Sequence, residues 1–65
     1  MKLTLNANIY SRQVVEVAII AYKDLAEITV IQNEEQIQLT FDNCRFDPSM
    51  TIKEFENYLI GLENS

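Results

Sequence analysis

The sequence predicts an α+β fold, a two-layer sandwich in which a three-stranded sheet carries both helices on one face. One segment alternates in polarity, two have helical periodicity, and two more are rich in β-branched residues. In chain order, as β-α-β-β-α, these segments are residues 2–9, 12–25, 27–32, 36–41 and 52–62. We expect residues 1–65 to form one domain, because a chain this short supports a single core.

The first strand is predicted from the alternation between residues 2 and 9. Its apolar side chains fall on one side and its polar side chains on the other, which is typical of a strand with one face in water. The apolar set is Leu3, Leu5, Ala7 and Ile9.

The first helix has a clear start signal. Ser11 can cap it with its hydroxyl, and Tyr10 before the cap can pack on Val15 as a hydrophobic staple. At about 100° per residue, the apolar side chains of residues 12–25 form one stripe that faces the core. The stripe consists of Val14, Val15, Ala18, Ala21, Tyr22 and Leu25, with Val17 and Ile19 at its margins.

Two runs of β-branched residues, 27–32 and 36–41, predict a hairpin whose turn is residues 33–35. Each run again has one apolar side. Ile31 breaks this pattern, because it points with the polar side chains.

Residues 42–50 have no period and include the one proline, so we interpret them as a loop. Phe46 is expected to anchor this loop on the core. Cys44 is interpreted as a small, partly buried residue. The alternative is a reactive thiol, because an adjacent guanidinium such as Arg45 can lower the pKa of a cysteine.

A capping box predicts the start of the second helix. The Thr51 hydroxyl can accept from the backbone N–H of Glu54, and the Glu54 carboxylate can accept from the backbone N–H of Thr51. Met50 can pack on Phe55 as a hydrophobic staple. We expect the helix over residues 52–62. Its inner face would be formed by Ile52, Phe55, Tyr58, Leu59 and Leu62.

The order of the three strands has two solutions. With both helices on one face, placing the third strand in the centre makes every pairing antiparallel. Placing the second strand there creates a parallel pair with a right-handed crossover. We expect the antiparallel order.

Charge argues against nucleic acid and membrane partners. The net charge is −5, and the five basic residues are scattered along the chain. Phosphate binding requires a basic cluster, and an acidic surface repels a polyanion or an anionic leaflet. The N-terminal alternation lacks the apolar run of a signal peptide, and residues 17–22 fall far short of the roughly 20 that span a bilayer. We expect a cytoplasmic protein.

The residue types present argue against catalysis. The sequence has no histidine, one cysteine and one glycine. These counts exclude an internal disulfide, the usual zinc sites, an imidazole base and a glycine-rich phosphate loop. We expect no catalytic residue, no metal and no cofactor, and therefore no enzyme.

Two isoleucines lie on the polar sides of their predicted helices. Ile20 falls among charged residues and Ile60 among polar ones, so neither can join the core that its helix faces. Together with Ile31, they are the predicted partner-binding residues.

Two hypotheses follow, because a small domain gains proportionately more than a large one from covering extra apolar area. The first is a non-catalytic accessory or adaptor module that binds a protein or a peptide, and a sheet edge could contribute by taking up an extended segment. The second is a structural homo-oligomer, most simply a homodimer, in which the same isoleucines meet across a two-fold axis.

A family resemblance rests on two stretches of sequence. The first is Tyr10-Ser11 with the apolar stripe of the first helix, and the second is Glu54-Phe55-Glu56-Asn57-Tyr58-Leu59 after the hairpin. In this element order, nearly the whole chain resembles the small HxsD-like accessory proteins of His-Xaa-Ser repeat peptide-maturation systems. The resemblance implies a non-catalytic helper that works beside radical-type maturation enzymes on a ribosomally made peptide.

Overall fold

A computed structural model describes residues 1–64 of the protein. The elements are β1 (Lys2–Asn6), α1 (Arg12–Tyr22), β2 (Glu27–Gln32), β3 (Gln36–Asp42) and α2 (Pro48–Glu63). The predicted α+β class and the β-α-β-β-α order are confirmed. Residue 65, which the predicted domain includes, lies outside the described residues.

The sheet has the order β1-β3-β2, and both strand pairs are antiparallel. The expected arrangement is therefore confirmed, and the alternative with a parallel pair is wrong. Leu39 of β3 lies between Leu3 of β1 and Val30 of β2, so apolar residues align across all three strands. This register places the apolar sides of the strands on one face of the sheet.

Both helices cover that face and complete the core. Phe55 is fully buried at its centre, where its ring makes edge contacts with Phe41 at 5.2 Å and with Tyr22 at 5.4 Å between centroids. Such edge-to-face pairs add stability beyond the area that they bury. The buried apolar residues are Leu5, Val15, Ala18, Ala26, Ile37, Leu39, Phe41, Ile52, Phe55 and Leu59.

The two helices run antiparallel to each other. At the start of α1, the backbone N–H of Ser11 donates to Glu63 Oε1 near the end of α2, at 2.7 Å. At the other end of α1, the Tyr22 ring lies 5.8 Å from that of Tyr58. The predicted cap is confirmed, because Ser11 Oγ accepts from the N–H of Val14 at 3.3 Å.

Strand β1 is shorter than predicted and ends at Asn6 rather than at Ile9. The Asn6 carbonyl accepts from the N–H groups of Ile9 and Tyr10, at 3.0 and 3.1 Å, and this turn replaces the strand. Ile9 is exposed as a result, so its predicted place on the inner face is wrong.

Helix α1 ends at Tyr22 instead of Leu25. The N–H groups of Leu25 and Ala26 both donate to the Tyr22 carbonyl, at 2.9 and 3.2 Å, and so form a turn. The predicted stripe is also displaced: Ala21 is exposed, whereas Ile19 packs against the core.

Helix α2 begins at Pro48, one turn earlier than predicted, and Asp47 is its cap. Asp47 Oδ1 accepts from the N–H of Ser49 at 3.0 Å, and proline is favoured at the first helical position because its φ is already helical. The predicted cap at Thr51 is therefore wrong. Thr51 is buried inside the helix, where its hydroxyl donates to the Asp47 carbonyl at 3.0 Å.

Candidate functional site

Ile20 lies on the outer face of α1 and is 64% exposed. Val17, at 50%, and Ala21 are exposed beside it. Positions three and four apart on a helix share a face, so these side chains form one apolar patch. The sequence placed Val17 at the margin of the core stripe and Ala21 within it. Ile20 and Ala21 follow Val17 by three and four residues, and this helical spacing was the signal that could have revealed the patch.

Ile60 lies on a different surface, on the outer side of α2, and is 44% exposed. Residues two apart on a helix point about 200° from each other. Since the ring of Tyr58 lies against Tyr22 of α1, Ile60 is directed away from α1. Its neighbours at i−4 and i−3, Glu56 and Asn57, are polar.

Ile31 lies on the opposite layer of the molecule. It is 65% exposed on the outer face of the sheet, where it is paired with Gln38, which is itself beside Thr4 of β1. The three isoleucines are thus all exposed, but the fold distributes them over three surfaces and brings none of them together. Their role in binding a partner stays a prediction.

The largest exposed apolar side chain lies at a place that sequence reasoning missed. Phe46 is 65% exposed, so its predicted role as an anchor on the core is wrong. Cys44 has that position instead, since it is partly buried and packs against the core. Phe46 precedes the Asp47 cap, the position at which a hydrophobic staple would pack, so its exposure does not follow from the helix start alone.

Phe46 lines an apolar groove, which we call the α2-start groove, between the turn after α1 and the first turns of α2. The groove has a volume of about 370 Å³, and its lining residues are Leu25, Phe46, Asp47, Met50, Thr51 and Glu54. Met50 is 59% exposed. A flexible thioether and an aromatic ring are side chains that protein interfaces favour.

Hydrogen bonds hold the walls of the groove in place. The backbone N–H of Arg45 donates to the Leu25 carbonyl at 2.7 Å, which fixes the loop before α2 against the turn after α1. Asn43 takes φ 51°, a left-handed conformation that asparagine tolerates well, and its side-chain amide donates to Glu27 Oε2 at 3.0 Å. The groove is therefore a built feature of the fold.

One acidic side chain of the groove, Glu54, lies near the aromatic pair Tyr22 and Tyr58. Burial raises the pKa of the Tyr22 phenol, and the negative charge of Glu54 and the nearby phenol of Tyr58 raise it further. Glu54 thus both lines the groove and acts on the Tyr22–Tyr58 pair through its charge.

The sheet edges offer backbone groups to an added strand. Along β1, the backbone groups of Met1 and Ala7 are hydrogen-bonded to Phe41 and Glu35. The backbone N–H and C=O groups of odd-numbered residues therefore point towards β3, and those of Lys2 and Thr4 point away from the sheet edge into solvent. This edge is short, and an edge lysine discourages strand addition.

The β2 edge is the longer of the two. The backbone N–H of Asn33 donates to the Gln36 carbonyl at 2.9 Å, so odd-numbered residues of this strand bond to β3. The backbone groups of the even-numbered Ile28 and Val30 therefore point away from β3 and are open to an added strand. This edge is the better candidate for an added strand.

Along residues 1–64, no group of three histidine, cysteine, aspartate or glutamate side chains is arranged to hold a metal ion. In the same part of the chain, no helix combines the length and hydropathy that crossing a bilayer requires. No protein-family model, curated protein sequence or solved structure matches this chain.

Proposed function

We propose that the protein is a non-catalytic accessory module that binds another protein or a peptide. The HxsD-like resemblance makes this proposal more specific: the module assists the maturation of a ribosomally made peptide, beside the enzymes that modify it. The arrangement of apolar surface supports binding, and the residue types in the sequence favour a helper over a catalyst.

One observation carries the proposal: large apolar side chains remain outside a core that is complete without them. Phe55, Leu59 and Ile37 are fully buried, whereas Phe46 and Ile20 remain about two-thirds exposed on the same small molecule. Isolated exposed apolar residues are ordinary. These two residues instead belong to contiguous groups, the α2-start groove and the outer patch of α1, which is typical of interaction surfaces.

The expected affinity is modest. Fully burying one large apolar side chain contributes about 1.5–3 kcal/mol. Association costs about 4–15 kcal/mol in lost translational and rotational freedom. A few such side chains roughly offset that cost, so we expect a weak and transient complex.

A homo-oligomer is the second candidate, and the outer patch of α1 is the observation that favours it. Val17, Ile20 and Ala21 could meet their copies across a two-fold axis. The charged residues that flank that patch are Glu16, Lys23 and Asp24. Arg12 pairs with Glu16 at 3.3 Å, so a second copy would meet charges of both signs there.

Binding to the components of a His-Xaa-Ser repeat system tests the proposal. Calorimetry and amide NMR with the purified maturation enzyme and precursor peptide should show saturable binding. Sedimentation at several protein concentrations should show a monomer. Absence of binding to both components, or a dimer that stays intact at low micromolar concentration, would contradict the accessory role.

A further inference from the structure

We propose that the α2-start groove binds a short peptide segment of another protein, and that this segment carries a bulky apolar side chain next to a lysine or arginine. The inference rests on the proposed binding function. It adds the surface that makes the contact and the chemistry of the ligand.

The apolar part of the ligand is inferred from the groove itself. Leu25, Phe46 and Met50 line it, and the last two are each more than half exposed. A side chain of the size of leucine or phenylalanine would cover both at once. The flexible Met50 can adjust its rotamer to either shape.

The wall geometry favours binding because little has to be ordered. The Arg45 to Leu25 hydrogen bond fixes one wall, and the bonds that join Ser49 and Thr51 to Asp47 fix the other. A surface that is already in its bound conformation avoids much of the entropy cost of association.

The basic part of the ligand is inferred from charge. The charged residues that line the groove, Asp47 and Glu54, are both acidic. The start of α2 contributes only about half a positive charge, so the lining itself carries a net negative charge, although Arg45 and Lys53 are neighbours in sequence of its residues. Tyr58, one helical turn after Glu54, is 41% exposed, and an aromatic ring attracts a lysine or arginine.

The same charges disfavour a second copy of this chain as the occupant. Each copy carries a net charge of −5, so self-association would bring an acidic surface against an acidic rim. A basic segment is attracted to the rim, and that attraction weakens as salt screens it.

Peptides of matched composition test the inference with the intact chain. One synthetic peptide carries a leucine flanked by lysines, and its control carries the same leucine flanked by glutamates. In amide NMR titrations, we expect the lysine peptide to shift the signals of Leu25, Phe46, Met50 and Glu54. The glutamate peptide should bind at least tenfold more weakly, and added salt should reduce the difference.

Variants separate the apolar contact from the charged one. Phe46→Ser should lower the affinity for the lysine peptide at least tenfold, as expected for an aromatic anchor. Asp47→Asn combined with Glu54→Gln should lower this affinity about threefold to tenfold and make it less dependent on salt concentration. Asparagine retains the capping ability of residue 47, so the helix start is preserved. Ile31→Thr, on the other layer, is the matched control and should bind normally.

Several results would overturn the inference. They are equal binding of the two peptides, unchanged binding by Phe46→Ser, an absence of shifts at millimolar peptide, or shifts that depend on protein concentration because a second copy occupies the groove. Shifts confined to Ile28 and Val30 would also overturn it, in favour of strand addition at β2. The proposed function fails separately, if neither maturation component binds the chain at any surface.

Discussion

Phe46 and Phe55 are the same residue type on the same short stretch of chain, yet their environments are opposite. Phe55 is fully buried between Phe41 and Tyr22, whereas Phe46 stands 65% exposed just before the helix cap. Phe55 holds the two layers together. Phe46 contributes little to them and is available for a partner. Apolar content alone thus does not separate the residues that hold the fold together from the residues that are available to a partner.

The largest expected effect is on stability, from Phe55→Ala. Removing a buried phenylalanine costs about 3–5 kcal/mol. A domain of this length has roughly 3–10 kcal/mol in total, so the variant should lose between about a third and all of its stability. Phe46→Ser should change the free energy of unfolding by no more than about 0.5 kcal/mol. Urea unfolding followed by circular dichroism measures both free energies of unfolding. Similar losses of stability in the two variants would show that Phe46 and Phe55 support the fold equally.

A smaller effect is expected at the cap that separates the two phenylalanines. Asp47→Ala removes the acceptor for the Ser49 N–H and should cost about 1 kcal/mol. Asp47→Asn retains an acceptor and should lie within a few tenths of a kcal/mol of the parent chain. The same unfolding curves give the result. An alanine variant as stable as the parent would show that α2 does not begin at this residue.

The acidic lining of the groove should be visible in the ionisation of Tyr22. Burial, the charge of Glu54 and the phenol of Tyr58 all raise the pKa of Tyr22. Glu54→Gln removes one negative charge and should lower that pKa, as measured by ultraviolet absorbance during alkaline titration. Glu34→Gln in the hairpin turn is the control. An unchanged Tyr22 pKa in Glu54→Gln would show that the charge of Glu54 does not act on the tyrosine pair.

The same shift makes a prediction about alkaline stability. A phenol whose pKa is higher in the folded state than in the unfolded chain binds its proton more tightly when folded. Its contribution to stability is fully present below the unfolded pKa and is lost as the pH rises through the folded pKa. The free energy of unfolding should therefore decrease above about pH 10, and less so in Glu54→Gln.

The smallest effects on stability are expected at the three exposed isoleucines. Ile20→Gln, Ile60→Gln and Ile31→Thr should each change the free energy of unfolding by no more than about 0.5 kcal/mol. A loss of several kcal/mol from any of them would mean that its side chain packs within a single subunit.

The strand pattern was predictable because alternation fixes the face of every residue once the register is set. One-sided strands required a single helical layer, and the strand directions left two orders, of which the structure has the expected antiparallel one. Ile20, Ile31 and Ile60 were predicted to be exposed for the same reason, since each conflicts with the period of its own element.

The α2-start groove could not be predicted, because it depends on an ambiguous helix start. Thr51 and Glu54 form a plausible capping box, but Asp47 followed by Pro48 is an equally valid start one turn earlier. Three-dimensional packing decided between them, since Thr51 is buried against the core. The Arg45 to Leu25 hydrogen bond, which forms the groove, joins residues distant in sequence and leaves no local signature.

The most direct test of the central claim measures folding and binding on one variant. Phe46→Ser is titrated with the lysine-flanked leucine peptide under conditions where its urea unfolding curve has been recorded. We predict an unfolding curve that overlays that of the parent chain, together with at least a tenfold loss of peptide affinity. A variant that unfolds more easily yet binds the peptide as well as the parent would show that Phe46 serves the fold and not a partner.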